Sequence, residues 1–388
     1  MKFLPLISLC ILLFPACRKE AMQQKTLPPL TQPFKIDHSK AAAVQAIIDE
    51  YTGKGIPGIV VAVQDKEGTW EGASGFSKIE TGEKLSPGFV HVAGSITKTY
   101  MAAAFLRLKE LHLVNLDTTI TAYIPNPVKW SLGNGAAITV RMLLNHSSGI
   151  PDYIADPAFR LHWLNDLSQQ WTTGSVQKYI YNHNLLFDPG SNYRYSNSNY
   201  ILLSIILEKI TGKGEGDWLK ENIFDKVGLT HTYYKTGPEF LENMPLPNYY
   251  LDRYGDGRLQ NVSLAARTEI YSERGDGSLV ATALDVVAFM NALVKGDIIT
   301  TASFNEMKTW FKQSEYGLGL ETGFNYNKQV QYGHPGSVFG GASLLLYFEK
   351  QETSLFIGAT TDGSLIGGKT LTLYHEMKNK IAAYIASQ

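Results

Sequence analysis

The sequence has 388 residues, which is long enough for one large domain or two moderate ones with a sizeable hydrophobic core. Its 35 Lys and Arg residues nearly balance its 36 Asp and Glu residues, so overall charge gives no general attraction to nucleic acid. Aromatic residues make up 11% of the chain, which excludes a chain disordered throughout and favours a folded domain with a binding groove.

The first residues have the pattern of an export signal. Lys2 precedes an apolar run, residues 3–14, that is shorter than the roughly 20 residues needed to span a bilayer. The run ends at Phe14-Pro15-Ala16-Cys17, which resembles the lipobox of a bacterial lipoprotein. We predict a signal peptide over residues 1–16 and a lipid anchor on Cys17, which would hold the protein at a membrane outside the cytoplasm. A plain secretory signal with an incidental cysteine is the alternative.

Hydrophobic patterning divides the remaining chain into a tether and one domain. Residues 17–38 are polar and contain prolines, as expected for a tether, and one folded domain is predicted over residues 39–388. Apolar residues recur at helical spacing over residues 44–51 and predict a first helix. Two runs rich in strand-forming residues, 59–63 and 70–76, flank a turn and predict a hairpin.

The middle of the chain has mostly helical patterns, and the C-terminal part returns to strands. Helices are predicted within residues 95–293, strands over residues 329–333, 342–349 and 354–360, and a last helix over residues 371–385. Strands at both ends with helices between them predict an α/β (α+β) fold, in which the two chain ends build one sheet with flanking helices around an inserted helical region. A cleft is expected where the two regions meet.

Ser95 and Lys98 form a Ser-x-x-Lys motif at the start of an apolar helical stretch. Positions three apart share a helix face, so the ammonium can lie beside the hydroxyl. Desolvation there would lower the lysine pKa and suit the lysine to act as a base, while the helix N-terminus would stabilise developing negative charge. A second copy, Ser175 and Lys178, lies in a more polar stretch typical of an exposed helix. An ordinary helix start followed by a solvated lysine is the alternative for Ser95.

Tyr195 and Asn197 lie in a loop directly before a strongly apolar helix, so their side chains can point into a cleft. A tyrosine beside a lysine cation loses its proton more readily than a free phenol and can serve as a general base or acid. Asn197 is a candidate donor to a substrate carbonyl and a candidate to hold Lys98. A polar surface turn is the alternative.

A third group, His334-Pro335-Gly336-Ser337, falls at the start of the C-terminal strands. Gly336 allows a substrate backbone to approach closely, because it has no side chain. His334 is placed to polarise or orient a site. A structural histidine at a strand end is the alternative.

The three groups follow one another in the order Ser-x-x-Lys, Tyr-x-Asn and His-x-Gly, about 100 and then about 140 residues apart. In this order they resemble the serine β-lactamase-like and penicillin-binding-protein superfamily, and most closely its class C-type group of β-lactamases, DD-carboxypeptidases, D-aminopeptidases and esterases. The segments ITVRMLLNHSSGI (138–150) and GDGSLVATALDVVAFMNALV (275–294) look like the same family. The resemblance covers roughly residues 39–385 and implies the antiparallel sheet of that superfamily.

The resemblance also implies acyl transfer through a covalent intermediate on Ser95. Lys98 and Tyr195 would move the serine proton, and the backbone N–H groups of Ser95 and Ser337 would form the oxyanion hole. The implied residues on the substrate side are Asn197, His334, Gly336 and Ser337. No metal or organic cofactor is implied.

Pro335 departs from the family pattern, since many relatives have threonine at this position. Proline has neither the hydroxyl that helps to hold a substrate carboxylate nor a backbone donor. Recognition of a free C-terminal D-alanine or of a β-lactam carboxylate therefore has no support at this position, and His334 or Ser337 would have to supply it.

Other hydrolase classes fit the sequence less well. The sequence contains no Gly-x-Ser-x-Gly nucleophile elbow, and His375-Glu376 has Asn379 where a zinc hydrolase needs its second histidine. A non-catalytic receptor of the same fold, binding peptidoglycan or penicillin, is the alternative from a different class, and an esterase with no cell-wall role is another. We predict a serine hydrolase that acts on a small ester, amide or D-amino-acid peptide, with peptidoglycan stem peptides as candidate substrates and without a nucleic-acid partner.

Overall fold

The computed structural model describes residues 35–124, 135–181, 183–234, 244–312, 314–361 and 368–388. The predicted signal peptide, Cys17 and most of the predicted tether lie outside these ranges. Within the described ranges, no helix combines the length and the apolar character that crossing a bilayer requires.

The described α-helices lie mainly between the strands of the two chain ends. They are Ala41–Lys54 (α1), Thr97–Glu110 (α2), Val140–Leu144 (α3), Pro157–Asn165 (α4), Thr173–Ile180 (α5), Asn197–Thr211 (α6), Glu215–Leu219 (α7), Ser263–Ser272 (α8), Ala283–Lys295 (α9), Thr301–Met307 (α10) and Lys369–Ala386 (α11).

The described strands form one large sheet and two small ones. They are Gly58–Asp65 (β1), Gly68–Lys78 (β2), Glu83–Lys84 (β3), Val90–Val92 (β4), Thr232–Tyr234 (β5), Tyr250–Leu251 (β6), Gln260–Asn261 (β7), Leu279–Thr282 (β8), Gln331–Val338 (β9), Gly341–Phe348 (β10) and Thr353–Ala359 (β11). The large sheet is antiparallel, in the order β3-β2-β1-β11-β10-β9, and the small sheets are β4-β8-β5 and β6-β7.

Strand β1 shows how the large sheet organises the core. Successive side chains of a strand point to opposite faces. Ile59, Val61 and Val63 pack with residues of α1 and α11 on one face, whereas Val60 and Ala62 join the core of the helical region on the other. Because β1 also pairs with β11, the predicted sheet built from both chain ends and flanked by helices is confirmed.

Two parts of the sequence-based prediction differ from the structure. Strand β9 continues past its predicted end at Gly333 to Val338, and it therefore includes Pro335. The proline is tolerated because β9 is an edge strand, where a missing N–H breaks no ladder on the open side. The helical region also contains strands β5 and β8. Strand β8 lies between β4 and β5 and pairs with both.

Candidate active site

Ser95 lies on a tight turn between strand β4 and helix α2. The turn, Gly94–Ile96, is a short 3₁₀ segment. Gly94 has a φ of 52°, in the left-handed region that favours glycine. A Cβ at Gly94 would lie 2.6 Å from the backbone nitrogen of Ser337. The glycine therefore lets the turn lie directly against β9.

The Ser95 hydroxyl contacts both of its expected proton-transfer partners. Lys98 Nζ lies 3.0 Å from Ser95 Oγ, and the Tyr195 hydroxyl lies 2.9 Å from the same oxygen. Ser95 and Lys98 are about one helical turn apart, whereas Tyr195 comes from the loop before α6. Lys98 is fully buried, so the alternative of a helix start followed by a solvated lysine does not hold.

A loop before strand β8 holds Lys98 in place. The Lys98 Nζ donates to the backbone carbonyl of Asp276 at 2.6 Å. The Asp276 carboxylate accepts from the Tyr153 hydroxyl at 2.8 Å and from the Arg274 backbone N–H at 2.9 Å, which fixes the loop. Burial lowers the pKa of Lys98 to about 8, although the charge of Asp276 and of other neighbouring carboxylates opposes the shift. Lys98 is therefore suited to act as a base slightly above neutral pH.

Burial sets the acidity of Tyr195. Its ring centroid lies 4.3 Å from that of His146 and 5.1 Å from Lys98 Nζ. From the sequence we expected the lysine cation to ease loss of the phenol proton, but burial raises the pKa of Tyr195 well above its ordinary value. That expectation is wrong, because desolvation is the largest influence on this pKa and the hydrogen bond with Ser95 only partly offsets it. Tyr195 therefore keeps its proton at neutral pH.

The Asn197 amide contacts a carboxylate. Asn197 Nδ2 lies 3.3 and 3.1 Å from the two carboxylate oxygens of Asp152, and the Asn197 backbone N–H donates to Asp152 at 3.2 Å. The hydrogen bonds described for Lys98 go to Ser95 and Asp276. The predicted contact between Asn197 and Lys98 is thus replaced by one to Asp152, and the role of Asn197 as a donor to substrate stays a prediction.

His334 is buried within strand β9 and is neutral. Its Nδ1 lies 2.5 Å from the Pro335 carbonyl oxygen, and its Nε2 lies 3.0 Å from the Tyr316 hydroxyl. Burial lowers the pKa of His334 to about 3, and the positive charge of Lys98 acts in the same direction. A neutral imidazole supplies no positive charge to a substrate, and the role of His334 in orienting the site stays a prediction.

Gly336 and Ser337 bring strand β9 into contact with the nucleophile turn. A Cβ at Gly336 would lie 2.0 Å from the Ala93 carbonyl oxygen, and the Ser337 backbone lies against Gly94. The Ser337 side chain is exposed. The backbones of Ser337 and of the turn that carries Ser95 are therefore neighbours, whereas their joint action as an oxyanion hole stays a prediction.

We expect Gly336→Ala to disturb both stability and reactivity. The added methyl would overlap the Ala93 carbonyl, so β9 has to move away from the nucleophile turn. Such overpacking costs about 1–3 kcal/mol of unfolding free energy. Gly53→Ala is a matched control, because a Cβ at Gly53 meets nothing within 4 Å and alanine favours helix α1. Thermal unfolding and the labelling rate of Ser95 are measured for both variants, and equal results for the two would contradict the close approach.

A cavity of about 450 Å³ opens beside Ser95, within the size range of small-molecule sites. It has residues of β9 and β10 on one side and the first turns of α11 on another. Its lining residues are Ser95, Tyr193, Tyr195, Glu321, His334, Pro335, Gly336, Ser337, Ala342, Ser343, Leu371, Tyr374, His375 and Lys378. A larger cavity of about 620 Å³ borders Arg274 and α7 but includes none of the predicted site residues.

Several residues of the site were missed from the sequence. Asp276 lies in segment 275–294, which resembles the family in sequence. The resemblance did not indicate that the Asp276 backbone carbonyl accepts a hydrogen bond from Lys98. Glu321 and Lys378 lie outside every recognised motif and join the cavity only through packing of the chain.

The second Ser-x-x-Lys copy has a structural role. Ser175 and Lys178 are exposed on helix α5, as predicted. The Ser175 backbone N–H donates to the Thr172 hydroxyl, and the Ser175 hydroxyl faces the Thr172 backbone N–H at 2.8 Å, which forms a capping box. Ser175 therefore helps to cap the start of helix α5 and lines no part of the cavity beside Ser95.

Ser95, Lys98 and Tyr195 lie together on a β-lactamase-like fold, and solved structures share this fold. The D-amino acid amidase from Ochrobactrum anthropi SV3, complexed with L-phenylalanine amide, is similar with a TM-score of 0.75 and 25% identity over 89% of this chain and 98% of that chain. The D-stereospecific amidohydrolase from Streptomyces sp. has a TM-score of 0.72 and 27% identity over 87% of this chain and 98% of that chain.

The sequence model of the Beta-lactamase family matches residues 44–370, and the chain belongs to that family. Penicillin-binding protein 4* of Bacillus subtilis (strain 168) is 23% identical over 315 residues, which are 77% of this chain and 67% of the relative. The putative penicillin-binding protein PbpX of the same organism is 26% identical over 265 residues, which are 68% of this chain and 60% of the relative. The predicted superfamily is confirmed.

Proposed function

We propose that the protein is a serine hydrolase that cleaves small amides through an acyl-enzyme on Ser95. The observation that carries this proposal is the placement of Ser95 Oγ within hydrogen-bonding distance of both Lys98 Nζ and the Tyr195 hydroxyl, at the wall of a substrate-sized cavity. Similarity to the D-stereospecific amidohydrolase and the D-amino acid amidase supports an amide of a D-amino acid as the substrate.

In the acylation step, Ser95 Oγ attacks the substrate carbonyl carbon while neutral Lys98 takes the hydroxyl proton. The backbone N–H groups of Ser95 and Ser337 would stabilise the oxyanion of the tetrahedral intermediate. Tyr195, which keeps its proton, then donates it to the leaving nitrogen and is reprotonated by Lys98. The carbon–nitrogen bond breaks, the amine leaves, and the acyl group stays on Ser95.

In the deacylation step, a water molecule attacks the acyl carbonyl and gives a proton to Lys98. The bond between the acyl carbon and Ser95 Oγ breaks, and the serine oxygen recovers a proton from Lys98 or Tyr195. The carboxylic acid product leaves, so the sum of the two steps is hydrolysis. In the structure the Ser95 hydroxyl is in hydrogen-bond contact with both Lys98 Nζ and the Tyr195 hydroxyl, the two groups that exchange protons with it in these steps.

Labelling and a substrate panel test this proposal. The full chain is treated with a fluorophosphonate, and peptide mass mapping locates the adduct. We expect one adduct on the Ser95 peptide and none on the Ser175 peptide. Amides of D- and L-amino acids, p-nitrophenyl esters, nitrocefin and a D-Ala-D-Ala peptide then rank the substrates. A folded protein that stays unlabelled would refute the acyl-enzyme and favour the non-catalytic receptor.

We also propose that Cys17 carries a lipid and holds the protein outside the cytoplasm. The proposal rests on the apolar run that ends at Ala16-Cys17. Expression in a bacterium fed a radioactive fatty acid is expected to label the wild-type chain but not Cys17→Ser. Equal labelling of the two chains, or none of either, would contradict the anchor.

A further inference from the structure

Glu321 places a carboxylate in the cavity that contains Ser95. Its backbone N–H donates to the Gly333 carbonyl at 2.7 Å and its carbonyl accepts from the Gly333 N–H at 2.9 Å, so the residue is fixed against the edge of the large sheet. The side chain is 27% exposed and lines the cavity. Glu321 is therefore a positioned acidic group on the wall of the proposed active site.

Which ring nitrogen of His334 carries the proton decides whether His334 can donate a hydrogen bond to the Glu321 carboxylate. His334 Nδ1 lies 2.5 Å from a backbone carbonyl, which can only accept, so Nδ1 carries the proton of the neutral ring. His334 Nε2 is then an acceptor and receives the Tyr316 hydroxyl. Glu321 Oε1 lies 3.7 Å from Nε2, and two acceptors face each other there. His334 does not compensate the Glu321 charge.

Three other charged groups act on Glu321 from neighbouring elements. Lys98 and Lys378 favour its ionised form, and Glu315 opposes it. Burial is the largest influence and raises the pKa of Glu321 to about 7. Among the described residues, Lys378 makes no ion pair with Glu321 within 4.0 Å, although both line the cavity. A cation that entered the cavity would meet a carboxylate without a direct protein counterion.

We propose that Glu321 binds a protonated amino group of the substrate, so that the enzyme acts on amides that carry a free amine near the scissile carbonyl. The inference rests on the proposed function and narrows its substrate class. Pro335 agrees with this assignment, because it removes a side-chain donor that a substrate carboxylate would need from that position of β9.

Matched substrates with and without the amine test the inference. One pair is phenylalanine p-nitroanilide, as both enantiomers, and 3-phenylpropionyl p-nitroanilide. A second pair is alanine p-nitroanilide and propionyl p-nitroanilide. The members of a pair share a leaving group and differ in the amino group. We expect the wild type to prefer the amine-bearing member, and Glu321→Gln to lower kcat/KM for that member by about 10- to 100-fold, as for loss of a hydrogen bond to a charged group. Turnover of the deaminated member is expected to stay within about twofold.

Glu376→Gln is the matched control, because Glu376 is exposed on α11, is not part of the cavity lining and is not among the charges that act on Glu321. We expect this control to keep the wild-type preference for the amine-bearing substrate, and we expect the fluorophosphonate to label Ser95 in all three proteins. If Ser95 is labelled but the wild type shows no preference for the amine, or turns over no member of either pair, the inference is wrong and the acyl-enzyme stands. An equal loss for both members of a pair in Glu321→Gln would make Glu321 structural. If Ser95 is not labelled, the proposed function itself fails.

Discussion

Ser95→Ala is expected to lower amide turnover by roughly 10⁴- to 10⁶-fold, the range seen when a serine nucleophile is removed from an enzyme that acts through it. Lys98 and Tyr195 both point to the Ser95 oxygen, so without that oxygen neither has a group to activate. Burst kinetics with a chromogenic amide and intact-mass measurement are the readouts. The acyl-enzyme mass should be present in the wild type and absent from Ser95→Ala.

Ser175→Ala is the control for the nucleophile. It removes the same hydroxyl from the other Ser-x-x-Lys copy, where the hydroxyl belongs to a helix cap. We expect full activity and a loss of stability of about 0.5–1 kcal/mol from the damaged capping box. Turnover by Ser95→Ala within tenfold of the wild type would contradict the proposed chemistry, as would a loss of activity in Ser175→Ala.

Local spacing determined which parts of the site the sequence could predict. Ser95 and Lys98 are three positions apart, and any helix that begins there brings them together. Tyr195 is far away in the sequence, and only the order of motifs shared with a known family connected it to Ser95. The Asn197 side chain points to Asp152, because that carboxylate is partly buried beside the start of α6 and needs donors. No spacing rule contains that information.

The degree of burial of Tyr195 was not predictable from the sequence. A lysine near a tyrosine predicts a more acidic phenol, yet desolvation of Tyr195 has the opposite and larger effect. Glu321 and Lys378 also have ordinary sequence surroundings, and both line the cavity that residues of β9, β10 and α11 border. The sheet was easier to predict, since β-branched runs at both ends of the chain mark buried strands without reference to their partners.

Lys98→Met is expected to lower the acylation rate by about 10²- to 10⁴-fold, the usual contribution of a general base. Methionine has a similar length but cannot accept the Ser95 proton. Because burial lowers the Lys98 pKa to about 8 from its ordinary 10.5, the folded chain disfavours the charged form, and the buried ammonium opposes folding below about pH 8. This opposition weakens as pH rises from about 8 toward 10.5. Loss of activity in Lys98→Met is therefore not expected to come with a lower melting temperature.

The pH dependence of acylation separates a base from a merely structural lysine. With a pKa of about 8, roughly a tenth of Lys98 is neutral at pH 7, so the wild-type rate should rise through about pH 8 and level off above it. Lys98→Arg keeps a positive charge but cannot become neutral in this range, and its rate is expected to be low without that rise. Single-turnover rates of p-nitrophenyl ester acylation from pH 6 to 10 provide the measurement. If the acylation rate of Lys98→Met or Lys98→Arg still rises with pH as in the wild type, the titration belongs to another group. Lys98 would then not be the base.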